Sequence, residues 1–198
     1  MTELSHPNFT SGKDLWVFAY GSLMWNPGFD YLEVVPGQVD GFHRSLCVIS
    51  TLYRGTPDNP GLVLGLDKGG SCCGLTFRVK ADLITETVTY LDGREKVTQV
   101  YDSAFVPTKL KDGREVEAYT FIVKRDHDQF AGELTHDQQA CLVARGIGQN
   151  GTALEYLTNT INHIKELGLH DPELHEVLNL ARRNAISYGE KGATGCLD

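Results

Sequence analysis

Two stretches of this sequence carry residue types that could do chemistry together. The first, Trp16-Val17-Phe18-Ala19-Tyr20-Gly21-Ser22-Leu23-Met24-Trp25, starts as an apolar, aromatic-rich run and breaks at Tyr20-Gly21-Ser22. Runs of that kind make buried strands. A glycine directly after one lets a ligand approach the backbone closely, and exposed N–H groups there can cradle an anion or a polarised carbonyl oxygen. The same pattern also serves as an ordinary strand and turn. The second stretch is the tetrapeptide Asp-Gly-Arg-Glu, present at Asp92-Gly93-Arg94-Glu95 and again at Asp112-Gly113-Arg114-Glu115. A carboxylate held in a cleft can move protons as a general acid or base. The later copy lies between two strand-like runs, where Asp-Gly signals a hairpin, so Glu115 is expected in solvent. Glu95 follows a helical pattern and precedes a strand, a junction at which side chains often point into a cleft. Glu95 is therefore the better candidate, with a solvated residue after a helix as the plainer alternative.

Other chemistries have no anchor in the chain. It contains no Gly-x-x-x-x-Gly-Lys, Gly-x-Gly-x-x-Gly, His-Glu-x-x-His or Gly-x-Ser-x-Gly. The histidines, at positions 6, 43, 127, 136, 163, 170 and 175, are scattered, and nothing selects a Ser/His/Asp or Cys/His set. The cysteines are Cys47, Cys72, Cys73, Cys141 and Cys196, an odd number with no zinc-type spacing. They read as reduced packing residues, and no metal site is expected. Arg44, in a strand-like run, reads as structural, with a substrate carboxylate as its alternative partner.

With 198 residues the chain fits a single domain that buries roughly 70% of its unfolded surface. A net charge of -8 argues against nucleic-acid or anionic-membrane partners, which need clustered cations. No apolar run is long enough to span a bilayer, and residues 1–13 lack the apolar core of a signal peptide. A cytoplasmic protein is the expectation.

The elements that must position these residues follow from periodicity. Residues 15–20 read as a strand and 21–29 as a loop. Residues 37–50 read as one or two strands, 56–61 as a turn cluster, and 62–66 with 72–79 as a hairpin around Asp67-Lys68-Gly69-Gly70. A helical period over 81–92 stops at Gly93, and strands follow over 97–107 and 116–123. Three helices close the chain: 135–145 capped by Thr135, 152–167 ending at Gly168, and one capped by Asp171 with Pro172 in its first turn. The fold class is α+β, with a sheet able to close into a barrel. Residues 1–14 read as a flexible arm, 15–188 as one domain and 189–198 as a flexible tail.

Taken in order, Val17-Phe18-Ala19-Tyr20-Gly21-Ser22-Leu23, Leu91-Asp92-Gly93-Arg94-Glu95 and Glu155-Tyr156-Leu157 resemble the glutathione-specific gamma-glutamylcyclotransferases, the ChaC-like family. The similarity covers residues 16–183. It implies the gamma-glutamylcyclotransferase-like fold, a small, mostly antiparallel β-barrel flanked by helices. It also implies no cofactor and cleavage of glutathione into 5-oxoproline and cysteinylglycine. By the same resemblance Tyr20, Gly21, Ser22 and Leu23 bind the γ-glutamyl group, Glu95 is the catalytic acid/base and Tyr156 lies near the pocket. Read from the residues alone, Tyr156 sits equally well in a core. Two alternatives stay open: the same ring closure on other γ-glutamyl amino acids or amines, and a non-catalytic ligand-binding regulator.

Overall fold

The computed structural model describes residues 12–132 and 134–191, with side chains through residue 186. Five strands form a closed barrel: β1 (Leu15–Ala19), β2 (Glu33–Ser50), β3 (Gly61–Val79), β4 (Tyr101–Leu110) and β5 (Glu115–Val123), in the order β1-β3-β2-β4-β5. All neighbours are antiparallel except β1 and β5, which close the barrel in parallel through Trp16↔Ala118 and Val17↔Tyr119. A two-stranded ribbon, β6 (Ile147–Gly148) with β7 (Gly151–Thr152), lies beside it. The helices are α1 (Ile84–Glu95), α2 (His136–Arg145), α3 (Ala153–Glu166) and α4 (Pro172–Lys191). This is the expected helix-flanked, mostly antiparallel α+β barrel.

Val17, Phe18, Ala19, Leu62, Leu64, Leu66, Phe77, Tyr119 and Phe121 are buried in the core that both faces of the barrel sheet help to form. In α3 the buried residues Ala153, Tyr156, Leu157, Thr160, Ile161 and Ile164 recur at steps of three and four, one stripe of an amphipathic helix. The caps fall where side-chain chemistry puts them. Thr135 and Gln138 form a reciprocal capping box on α2. The Thr152 hydroxyl accepts from the Glu155 N–H at 3.0 Å, and Asp171 Oδ1 accepts from the Leu174 N–H at 3.1 Å.

Three local expectations need correction. The hairpin at 67–70 does not form, because β3 continues through it as one 19-residue strand paired along β2. Asp40 faces Ser71 and Phe42 faces Lys68, so β3 holds one extra residue there, a bulge that Gly69 (φ 101°) and Gly70 (φ 67°) accommodate. Those glycines bend the strand instead of reversing it. Gly93 does not stop α1 either: it lies in the helix, and Lys96, whose N–H bonds the Asp92 carbonyl at 3.0 Å, is the cap. The third correction concerns β4, which starts at Tyr101 because Gln99 (φ 61°) turns the chain after α1. It then runs past Pro107, since β2 pairs with it only from Thr108 onward and no ladder bond at Pro107 is needed on that side.

Of the amino-terminal arm, Asp14 is tied down, its carboxylate accepting from the Ala81 N–H at 3.0 Å and from Arg78 at 3.4 Å. Residues 1–11 and 192–198 of the expected arm and tail lie outside the described residues, while α4 itself extends to Lys191. Cys47, Cys72 and Cys73 carry free thiols, but Cys141 is joined in a disulfide, against the expectation that all five are reduced.

Candidate active site

One edge of β3 explains where the site lies. Along Gly61–Leu66 the strand pairs with β2, yet β1 reaches β3 only at residues 75–79. The outward N–H and C=O groups of that first segment therefore lack a strand partner and must be satisfied otherwise. Tyrosine hydroxyls do this. The Leu64 N–H donates to the Tyr156 hydroxyl at 3.3 Å, and the Tyr101 hydroxyl donates to the Leu64 carbonyl at 2.7 Å. Two residues on, Leu66 makes a backbone hydrogen bond to the Tyr20 hydroxyl. The paved edge is one wall of a cavity of about 550 Å³.

The adjoining wall comes from the loop after β1. Gly21 leads into a single 3₁₀ turn, Ser22–Met24, closed by the Met24 N–H on the Gly21 carbonyl at 2.9 Å. Leu23 and Met24 are buried. A Cβ on Gly21 would lie 3.0 Å from the Tyr156 hydroxyl, so the loop and α3 meet closely at this point. The Tyr156 ring also packs edge-on against Trp25 at 5.7 Å.

The end of α1 supplies the charged groups, each sent in its own direction. Asp92 faces the barrel, accepting from the Tyr119 hydroxyl at 2.7 Å and from Lys96 at 3.0 Å. Arg94 spans the gap to the loop, donating to Ser22 Oγ at 2.8 Å, the Asn26 carbonyl at 2.7 Å and the Tyr90 hydroxyl at 3.1 Å. Its Nε lies 3.0 Å from Glu95 Oε1. Glu95, the last residue of the helix, enters the cavity. Burial pushes the Glu95 carboxyl above its ordinary value, and the Arg94 charge and hydrogen bond offset this only in part. Burial, together with the Glu95 charge, also pushes up the Tyr20, Tyr101 and Tyr156 hydroxyls, which stay protonated and can act as donors.

All six residues singled out in the sequence, Tyr20, Gly21, Ser22, Leu23, Glu95 and Tyr156, line this one cavity. The second Asp-Gly-Arg-Glu copy goes elsewhere: Glu115 is exposed, and Arg114 joins a surface network with Glu33 and Asp112. Arg44 is structural, donating to the carbonyls of Tyr20 and Cys73 at 2.6 Å each and so pinning the start of the loop. Tyr101 and Arg54 also line the cavity and were not foreseen. Tyr101 belongs to an ordinary alternating strand and gave no signal. Arg54 stands just before the turn cluster at 56–61, in a stretch that reads as connection only. Among the described residues no cluster of three His, Cys, Asp or Glu side chains could hold a metal ion.

Comparison with known proteins adds a second line of evidence. A sequence model of the family described as ChaC-like protein matches residues 15–184. The glutathione-specific gamma-glutamylcyclotransferase of Escherichia coli (strain K12) is 34% identical over 83% of this chain and 71% of its own length. The protein of that name from Schizosaccharomyces pombe is 30% identical, over 81% of this chain and 88% of its own. Among solved structures, the yeast gamma-glutamyl cyclotransferase specific to glutathione superposes with a TM-score of 0.78 at 23% identity, covering 87% of this chain and 100% of that one.

Proposed function

Since this chain belongs to the ChaC-like protein family, we propose that it is a glutathione-specific γ-glutamylcyclotransferase, cleaving glutathione into 5-oxoproline and cysteinylglycine with Glu95 as general acid/base. The substrate holds both reactants. Its α-amine attacks its own γ-carbonyl carbon, a five-membered ring closes, and the γ-amide C–N bond breaks to release the amine of cysteinylglycine. An α-amine titrates near pH 8, so roughly a tenth is neutral and nucleophilic at pH 7. As the ring C–N bond forms, Glu95 takes a proton from the attacking nitrogen. As the amide bond breaks, Glu95 returns a proton to the leaving nitrogen. Its upward-shifted carboxyl suits both halves of that duty better than a fully solvated one would.

Negative charge develops on the γ-carbonyl oxygen during attack. Tyr156 supports its stabilisation: the hydroxyl already accepts from the Leu64 N–H, so its own proton is free to point into the cavity. The amides at Gly21 and Ser22 are the further donors in this reading. An oxyanion donor in comparable sites contributes about 10²–10³-fold. Tyr20 and Leu23, packed behind the loop, shape the wall that holds the γ-glutamyl chain bent, since an extended conformer cannot cyclise.

The observation that carries the proposal is the meeting of Glu95 with the Tyr20–Leu23 loop and Tyr156 in one cavity. Incubating the purified protein with glutathione should yield 5-oxoproline and cysteinylglycine in equal amounts. Glu95→Gln should lower kcat by about 10²–10⁴-fold. A variant with full activity would sink the assigned role of Glu95, and no 5-oxoproline from the unaltered protein would sink the function.

A further inference from the structure

Arg54 is a cation at the cavity wall whose charge is only partly answered. Its side chain is 14% exposed. Both of its polar contacts are made by Nη1, which donates to the Thr152 carbonyl at 3.2 Å and lies 3.5 Å from Glu155 Oε2. Glu155 is 60% exposed, so water screens that pair. Nε and Nη2 make no contact among the described residues. The guanidinium lies over the Tyr156 ring at 5.6 Å. An arginine fork with two open donors, mostly buried at a cavity wall, is suited to grip a carboxylate through paired hydrogen bonds.

The fork is held in advance of any ligand. The Arg54 N–H donates to Ser50 Oγ at 3.0 Å, and the Gln149 and Asn150 N–H groups bond the carbonyls of Leu52 and Tyr53 at 3.0 and 2.9 Å. Gly146 and Gly148 allow this approach: a Cβ on Gly146 would meet the Arg54 carbonyl oxygen at 2.5 Å, and one on Gly148 the Arg54 nitrogen at 2.6 Å. With its backbone so braced and Nη1 held by the Thr152 carbonyl, the side chain has less freedom to lose on binding.

Its place relative to the chemistry selects which carboxylate. Glu95 and Arg94 come from the end of α1, and the reacting α-amine and its neighbouring α-carboxylate share one carbon beside them. Arg54 is braced from the start of α3, against the face of the Tyr156 ring, while the hydroxyl of that tyrosine meets Leu64 and Gly21. Tyr156 feels both Glu95 and Arg54, while Arg94 is the one charge that moves Glu95, so Arg54 stands farther from the reacting carboxyl than Tyr156 does.

We propose that Arg54 anchors the carboxylate at the far end of the substrate, so that the site selects γ-glutamyl peptides ending in a free carboxylate over γ-glutamyl amines and amides. This rests on the cyclotransferase reading. The test compares glutathione with glutathione amidated at its glycine carboxylate, following 5-oxoproline with the unaltered protein, Arg54→Gln and Arg54→Lys. The unaltered protein should show a KM about 10–100-fold lower for glutathione than for the amide. In Arg54→Gln the ratio of the two KM values should fall to near one, and Arg54→Lys should restore part of the preference. Equal KM values for the two compounds with the unaltered protein would overturn the anchor while leaving the cyclotransferase intact. An equal loss on both compounds in Arg54→Gln would place Arg54 at the γ-glutamyl end and overturn it too. No product from either compound would remove the cyclotransferase reading and the anchor together.

Discussion

At the scale of single residues, the Arg94–Glu95 pair sets how the site answers to pH. Burial is the larger influence on Glu95 and raises its carboxyl, while Arg94 at 3.0 Å pulls it back. A base must be deprotonated in the free enzyme, so kcat/KM should fall with acid through the raised folded value of Glu95. Removing the cation leaves burial unopposed. In Arg94→Met the acidic limb of the kcat/KM profile should therefore move to higher pH. An unmoved limb would mean that some other group governs it. Glu95 was legible from its junction position, but its environment was not, because the Arg94 bridge to Ser22 Oγ joins residues 72 positions apart.

At the scale of elements, the tail of α1 is what aims the three side chains of Asp92-Gly93-Arg94-Glu95. Because the helix continues through Gly93, Asp92 and Arg94, two residues apart, leave it on opposite sides, one toward Tyr119 and the other toward Ser22. Gly93 is exposed, has no positive φ and has open space where a Cβ would sit. Gly93→Ala should thus stabilise the protein by about 0.5–1 kcal/mol, read as a higher urea midpoint with cyclotransferase activity retained. A lower midpoint would mean that the helix ends at Gly93 in solution. The helical period over 81–92 was clear in the sequence. A glycine at its end has two physical readings, cap or interior, and only the surrounding contacts choose between them.

At the scale of the whole molecule, Asp67 ties the long β2–β3 ribbon to the chain beyond β5. Its carboxylate accepts from Arg125 at 2.7 and 3.0 Å, and the side chain is 10% exposed. Burial pushes this carboxyl up, but hydrogen bonds from Arg125 and Lys68, with the charges of Arg125 and His43, outweigh it and hold the group below its ordinary value. A depressed carboxyl contributes stability above its unfolded value near pH 4, and that contribution fades as pH falls through the folded value. Asp67→Asn should cost about 1–3 kcal/mol at neutral pH, with part of the ion pair screened because Arg125 is 54% exposed. The difference from the unaltered protein should shrink in acid. Denaturant curves at pH 7 and pH 3 check this, and a difference that held constant would contradict it.

Local patterns carried much of this molecule: the apolar run into Tyr20-Gly21-Ser22, the α3 stripe, the caps at Thr135 and Asp171, and the ordered motifs of a family. These are short-range, because period, capping and turn chemistry act within a few residues. The tertiary structure decided what depends on pairing. It kept β3 whole across Asp67–Gly70, since β2 supplies partners on both sides of the bulge. It also left the outer edge of Gly61–Leu66 without a strand, so that tyrosines from three distant places come to Leu64 and Leu66. Nothing near Leu64 in the chain shows that its N–H and C=O will face a cavity, because which edge of a strand stays open is set by where β1 ends.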